Sequence, residues 1–193
     1  MAVADVELHR WTREEYERLA AGGFFPPETR LELVDGLIYQ MTPQSSFHST
    51  AVQAAQEMLR RAFPAGFVVR VQMPLALGED SEPEPAVAVV SGELADYSFS
   101  HPTTAALIVE VADSSLLHDR RRKIPLYAWA EVPEVWLLVL RRRVLEVYRH
   151  PAGGSYRSKV VLHLGEAVSP ILRPDVSIPV GGLLPWLVSR PSL

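Results

Sequence analysis

The sequence predicts an α/β (α+β) fold in which helices flank a central mixed β-sheet. Two nearly continuous apolar runs, Val87–Val90 and Leu107–Val111, are typical of strands that are buried on both faces. Other segments alternate polar and apolar residues around turn signals, which predicts β-hairpins, and segments with helical spacing lie between the strands. Because the chain shows no internal repeat and no linker, residues 1–193 are predicted to form one domain.

The composition excludes several classes of protein. The 193 residues are 48% hydrophobic and 22% charged, which is typical of a globular chain. Zero cysteines exclude disulfides, thiolate metal sites and a cysteine nucleophile, and they fit a reducing, cytoplasmic location. We find no signal peptide and no apolar window that would span a membrane, so no membrane partner is expected. The net charge of −4 argues against nonspecific coating of nucleic acid, but it allows a local basic surface.

Three segments with capping residues or helical apolar spacing are predicted as helices: residues 12–21, 45–63 and 116–130. The first begins at a capping box formed by Thr12 and Glu15. Ser45 or Ser46 can cap the second. Pro125 is expected to bend or break the third, because proline cannot donate a helical hydrogen bond.

Six segments rich in apolar or alternating residues are predicted as strands of the sheet: residues 67–73, 87–90, 107–111, 135–140, 144–148 and 156–164. Residues 75–77 are read as an extension of the first strand. Three arginines at 141–143 are predicted to form an exposed hairpin turn. Residues 78–85 are acidic and contain proline, so they are predicted as a surface loop.

A separate β-hairpin is predicted over residues 30–41, which alternate about an Asp-Gly turn signal. Side chains on a strand alternate between its two faces. We therefore expect Glu32 on the face opposite Leu31 and Leu33.

Chemistry centres on Glu110, which lies inside the second apolar run. A carboxylate on a buried strand is costly unless it meets a proton, a cation or hydrogen-bond donors. The alternative is a glutamate at a strand end that points to solvent or pairs with an arginine. On the next helix, Asp119 and Lys123 are four residues apart and share a face. In the first alternative, they form an ordinary helix salt bridge. In the second alternative, Lys123 lies beside Glu110 as a cation that stabilises negative charge. Arg120–Lys123 is either a solvated basic face or a phosphate contact.

The motifs that surround Glu110 occur in a characteristic order along the chain: Arg30–Gly36, Ser81–Pro85, Val109–Val111, Asp113–Ser115, Asp119–Arg120, Lys123–Ala128 and Val132–Trp136. Together they resemble the Uma2 family of the PD-(D/E)XK nuclease superfamily, from about Trp11 to Leu187. The resemblance implies a restriction-endonuclease-like core and a divalent metal, Mg²⁺ or Mn²⁺, held by acidic residues. It also implies nucleic acid as the partner, with DNA as the expected substrate, and by analogy a homodimer.

Carried over to this chain, the resemblance assigns roles to individual residues. Glu110 matches the metal-binding glutamate, and the backbone carbonyl of Val111 is a further candidate ligand. The superfamily lysine would stand at Ala112, and Lys123 on the next helix matches its substitute. Glu32 matches a hairpin glutamate that could contact the metal or a water.

Further polar positions match the family pattern in supporting roles. Those beside the predicted site are Ser115, Asp119, Gln72 and His48, and those expected to meet phosphates are Arg120, Arg121 and Arg122. None of these residues identifies the chemistry by itself.

The sequence departs from the family at Ala86, where the family's principal metal-binding aspartate would stand. At about 4 Å and an effective dielectric near 20, one pair of unit charges interacts by roughly 4 kcal/mol before desolvation. Opposite a divalent ion the missing carboxylate removes up to about twice that, so metal binding is expected to be weakened or lost. The alanine is either a natural loss or a deliberate substitution.

Three functions remain open from the sequence. The first is a metal-dependent nuclease that is inactive as written, in which an aspartate at position 86 would complete the site. The second is a catalytically dead module that still binds nucleic acid. The third is a structural or dimerisation protein that keeps only the fold.

Overall fold

The structure is a computed structural model that describes residues 7–26 and 28–184. Its centre is a six-stranded mixed sheet in the order β3-β4-β5-β6-β7-β8, whose strands are Phe67–Val71, Val87–Ser91, Leu107–Ala112, Glu134–Val139, Val144–Ala152 and Ser155–Leu162. Neighbouring strands are antiparallel except β5 and β6, which run parallel. The predicted mixed sheet is therefore confirmed.

Smaller elements surround this sheet. Two-stranded pairs are formed by β1 with β2 and by β9 with β10, at Leu31–Val34, Leu37–Gln40, Ala167–Val168 and Ile178–Pro179. The α-helices α1 to α5 are Arg13–Ala21, Ser46–Ala62, Leu116–His118, Ile124–Trp129 and Val180–Leu183. A π-helical turn, Asp119–Lys123, joins α3 to α4, and short 3₁₀ helices cover Leu94–Tyr97 and Leu140–Arg142.

The hydrophobic core lies on both faces of the sheet. Every residue of β5 and β6 is buried, as the continuous apolar runs predict. Along β5, Val109 and Val111 pack in the cluster that includes α2, whereas Ile108 packs on the opposite face with Tyr127 of α4. Alternation along the strand therefore turns Glu110 towards α4.

The hairpin β1–β2 forms as predicted, with Asp35 and Gly36 both at positive φ in its two-residue turn. Glu32 and Leu33, which alternation places on opposite faces of β1, are both fully buried. Glu82 pairs with the backbone of Leu33 and covers that strand. Residues 81–85 are consequently largely buried, although an exposed acidic loop was predicted there.

The third predicted helix is interrupted by the π-helical turn Asp119–Lys123, which ends two residues before Pro125. This position agrees with the predicted break, because a proline removes a helical hydrogen bond and crowds the preceding turn. Strand β3 is also shorter than predicted, because Gln72 has a φ of 51° and ends the strand. Residues 75–77, which were predicted to extend this strand, instead form an isolated bridge between Leu77 and Ser81.

None of the described helices is both long and apolar enough to cross a membrane.

Gly36→Ala is expected to destabilise the hairpin, because a Cβ at Gly36 would lie 2.6 Å from the Arg10 Cβ. Gly23 is a matched control: its φ of 70° equals that of Gly36 within a degree, and a Cβ there meets nothing within 4 Å. Both alanines carry left-handed strain of about 1–2 kcal/mol, and the overpacking at Gly36 adds about 1–3 kcal/mol. Urea unfolding measures the difference; equal losses in the two variants would contradict the close packing of Arg10 on the turn.

Candidate active site

Four segments of the chain bring the predicted site residues together. Glu110 lies in the middle of β5, Ala86 immediately precedes β4, and Lys123 ends the π-helical turn. Strands β4 and β5 are adjacent, and the backbone N–H of Ala86 donates to Glu110 Oε2 at 3.3 Å. Glu32 reaches the same place from β1, outside the main sheet.

The ammonium group of Lys123 joins the two buried glutamates. Its Nζ lies 2.8 Å from Glu110 Oε1 and 3.1 Å from Glu32 Oε2, and the residue is 1% exposed. Of the two alternatives for Lys123, the structure therefore shows the one beside Glu110, while Asp119 accepts a 2.7 Å hydrogen bond from Ser115 Oγ. π-helical turns are frequent at functional sites, and this one carries the inward-facing lysine.

Glu110 is held on both carboxylate oxygens. Tyr127 OH donates to Oε1 at 2.5 Å, and the Ala86 N–H occupies Oε2. Burial raises the pKa of Glu110 to about 7, against the opposing effect of Lys123 and with the charge of Asp119 adding to the rise. The pKa of Lys123 is raised above its ordinary value: burial lowers it, but Glu110 and Glu32 outweigh burial.

Glu32 has a different environment from Glu110. Besides Lys123, it accepts from the backbone N–H of Glu84 at 3.2 Å, and His118 Nε2 lies 3.3 Å from its Oε1. Burial raises its pKa, but Lys123 and these hydrogen bonds outweigh burial and lower the pKa to about 2. Glu32 is therefore the firmly ionised partner of Lys123.

A cleft of about 120 Å³ opens onto this cluster. Ala86, Glu110, Val111 and Lys123 line it, and so do the four supporting residues predicted from the family pattern, Gln72, His48, Ser115 and Asp119. Glu32 lies behind Lys123 and is not part of the lining.

The structure defines the surroundings of two supporting residues, Gln72 and His48. The backbone N–H of Gln72 donates to the carbonyls of Pro85 and Ala86, at 3.2 and 3.3 Å, and so fixes the chain where the missing aspartate would stand. Burial lowers the pKa of His48, with Asp113 opposing and Arg30 contributing.

The basic run on the π-helical turn does not form one surface. Arg120 forms an ion pair with the buried Glu146 of β7, and Lys123 points into the site. Arg121 and Arg122 are exposed and remain available to a ligand.

We tested whether these residues fit the divalent metal that the family pattern implies. Magnesium prefers carboxylate and water oxygens, whereas Glu110 already meets an ammonium, a phenol and an amide. Position 86 offers only a methyl group. Within residues 7–26 and 28–184, no three His, Cys, Asp or Glu side chains are grouped as metal ligands. The residues present do not fit the metal.

Sequence reasoning missed two partners of the site, Tyr127 and His118. Tyr127 follows Lys123 by four residues, and this helical spacing could have indicated a shared face. For His118 the sequence gives no such signal, because its contact with Glu32 spans 86 residues.

Lys123→Met is expected to lower the free energy of unfolding by about 3–5 kcal/mol, because it leaves Glu32 and Glu110 buried without their cation. Arg121→Met is the matched control; this exposed neighbour should change stability by less than about 0.5 kcal/mol. Denaturant unfolding of both variants at neutral pH makes the comparison. A Lys123→Met variant as stable as the control would show that the ion pairs do not hold β1 to β5.

Comparisons with known proteins agree with this architecture. A crystal structure from Anabaena variabilis ATCC 29413, described as a putative nuclease belonging to DUF820, aligns with a TM-score of 0.73 and 15% identity, over 92% of this chain and 99% of that one. At this identity the likeness shows the fold alone. The comparison with curated proteins gives no match. A family model with the description "Putative restriction endonuclease" matches residues 13–181, so the chain belongs to the Uma2 family.

Proposed function

We propose that this chain is a restriction-endonuclease-like protein that binds nucleic acid at the Glu110–Lys123 cleft but does not hydrolyse it. One observation carries this proposal: the backbone N–H of Ala86, which has no carboxylate of its own, donates to Glu110, whose charge is already matched by the ammonium of Lys123. The family description supports nucleic acid, DNA first, as the ligand.

The charges around the cleft support binding more than cleavage. Lys123 is neutralised by Glu110 and Glu32, so it has little positive charge left for a developing phosphate anion. Phosphate groups would instead meet Arg121 and Arg122, which do not line the cleft but are exposed on the same π-helical turn as Lys123. Arginine side chains suit such contacts because their planar guanidinium groups match phosphate oxygens.

The family pattern implies Mg²⁺ or Mn²⁺. This metal is part of the proposal only for a variant in which an aspartate replaces Ala86. An aspartate at position 86 would add a carboxylate to the cleft that Glu110 and Val111 already line. A cation then becomes favourable, because the added negative charge exceeds what Lys123 can offset.

Ala86→Asp is expected to create metal-dependent cleavage of DNA. Isothermal titration with Mn²⁺ and a plasmid-nicking assay test this, with Ala86→Asn as a control of almost the same shape and no charge. We expect metal binding and nicking in the aspartate variant, and neither in the asparagine variant or the unmodified chain. A folded Ala86→Asp protein that neither binds metal nor cuts DNA would contradict the hypothesis that the alanine alone inactivates the site.

Nucleic-acid binding by the unmodified chain is expected to weaken as salt rises. Each phosphate contact contributes a slope of about −0.9 in log K against log salt. Replacing Arg121 and Arg122 together by glutamine should make the slope shallower by about two contacts, whereas Arg157→Gln on the edge strand β8 should leave it unchanged. Fluorescence anisotropy with labelled duplexes gives the slopes.

The competing function is a structural or dimerisation role that keeps only the fold. Absence of salt-dependent binding, together with a homodimer in sedimentation equilibrium, would favour that role over nucleic-acid binding. Salt-dependent binding by a monomer would favour the proposed function.

A further inference from the structure

A surface pocket of about 250 Å³ lies next to the cleft and shares one lining residue with it, Asp113. The pocket is also lined by Phe47 from α2 and by Leu140, Arg141 and Arg143 from the turn between β6 and β7. We call it the arginine-turn pocket. Neither the family pattern nor the proposed function assigns it a role.

Asp113 joins the arginine-turn pocket to the cleft. Its Oδ2 accepts a 3.0 Å hydrogen bond from Oγ of Ser45, the N-cap of α2, and its Oδ1 lies 3.3 Å from Nε of Arg141. On the first turn of α2, Phe47 lines the pocket and His48 lines the cleft. Such a division is expected because consecutive helical residues point about 100° apart. A ligand that occupies the cleft can therefore extend into the pocket.

Arg143 brings an unmatched positive charge to the pocket. The residue is exposed, and within the part of the chain that the structure describes its side chain has neither an ion pair nor a hydrogen bond. Among the described lining residues Asp113 is the one carboxylate, and its charge is already matched by Arg141. Arg142 adds a further exposed arginine to the same turn. The turn therefore offers net positive charge to a ligand.

The backbone at Arg143 does not favour an arginine. Its φ of 56° lies in the left-handed region, which is strained for a residue with a Cβ and unstrained for glycine. Strained positions of this kind concentrate at ligand sites, where a contact compensates for the strain. A phosphate contact would supply such compensation, because the guanidinium group matches phosphate oxygens.

Phe47 places an aromatic ring beside these charges. The residue is 57% exposed, whereas the other apolar lining residue, Leu140, is 7% exposed. Proteins that bind single-stranded nucleic acid combine these two features, because bases stack on an aromatic ring while phosphates meet cations. In a paired duplex the base faces are covered by their neighbours, so such a ring can contact only an unstacked base.

We propose that the arginine-turn pocket binds an unstacked nucleotide of the strand that occupies the cleft, with its base on Phe47 and its phosphate on Arg143. This inference rests on the proposed function, and it narrows the ligand to nucleic acid with an unpaired base. The charge of the pocket selects this occupant. An apolar peptide would leave Arg143 unmatched, and a small anion would not use the ring of Phe47.

The base contact is tested with a single-stranded oligonucleotide and a strand of the same length in which every nucleotide is abasic. Fluorescence anisotropy on the full chain measures both affinities. Phe47→Leu keeps an apolar side chain and is expected to weaken binding of the normal strand about tenfold, which is the scale of one base–aromatic stack. It should leave binding of the abasic strand and of a blunt duplex unchanged. Phe99→Leu is the control, since Phe99 is exposed and lines neither the cleft nor this pocket.

The phosphate contact is tested by salt dependence. Arg143→Gln is expected to make the slope of log K against log salt shallower by about 0.7 for a single strand, which corresponds to one phosphate. Arg60→Gln, at an exposed arginine in the last turn of α2, should leave the slope unchanged. Arg143→Gly guards against misfolding: glycine relieves the left-handed backbone, so this variant should lose the same contact without a lower melting temperature.

The outcomes separate this inference from the proposed function. If Arg121 and Arg122 set the salt slope but Phe47→Leu and Arg143→Gln bind like the unmodified chain, the pocket is overturned and the cleft is not. Equal losses of affinity for normal and abasic strands in Phe47→Leu would also overturn the pocket, because the base would then make no contact. Absence of binding by every oligonucleotide would overturn both.

Discussion

The ion pairs of Lys123 with Glu110 and Glu32 are the constraint on which the centre of the protein depends. A buried ammonium is unfavourable unless opposite charges meet it at short distance. Here those charges come from the central strand β5 and from β1, which lies outside the main sheet. Lys123 therefore ties the β1–β2 hairpin to the central sheet, in addition to the backbone pairing of Leu33 with Glu82, and the π-helical turn carries the lysine inward.

The same charge balance explains why Ala86 is compatible with a well-packed structure. Two carboxylates face one ammonium, and burial favours a proton on Glu110, whose pKa is about 7. A third carboxylate at position 86 would add negative charge beside Glu110 without a donor to offset it. The alanine thus favours the fold in the absence of metal, whether it arose naturally or by design.

Sequence patterns predicted the sheet and the hairpin turn well, because both depend on local rules. Continuous apolar runs indicated the buried strands, and an Asp-Gly pair indicated the two-residue turn. The same rules could not predict that Glu32 is buried, since its cover comes from Glu82, fifty residues later in the chain. The ion-pair partner of Arg120 could not be predicted from these rules either, because Glu146 lies on a strand beyond the next helix. The candidate site followed from the family pattern, and its charge balance required three-dimensional contacts.

The structure contains two kinds of buried cation, and they differ in what they can offer a ligand. Lys123 is matched from within the chain by Glu110 and Glu32, so an incoming phosphate gains little from it. Among residues 7–26 and 28–184, Arg70 has contacts with a carbonyl, an imidazole and an aromatic ring, and no ion pair with a carboxylate. In this chain the centre of the candidate site is internally neutralised by the two glutamates that meet Lys123. Phosphate recognition, as proposed above, would therefore depend on the exposed arginines of the π-helical turn and on Arg143, with Lys123 serving the fold.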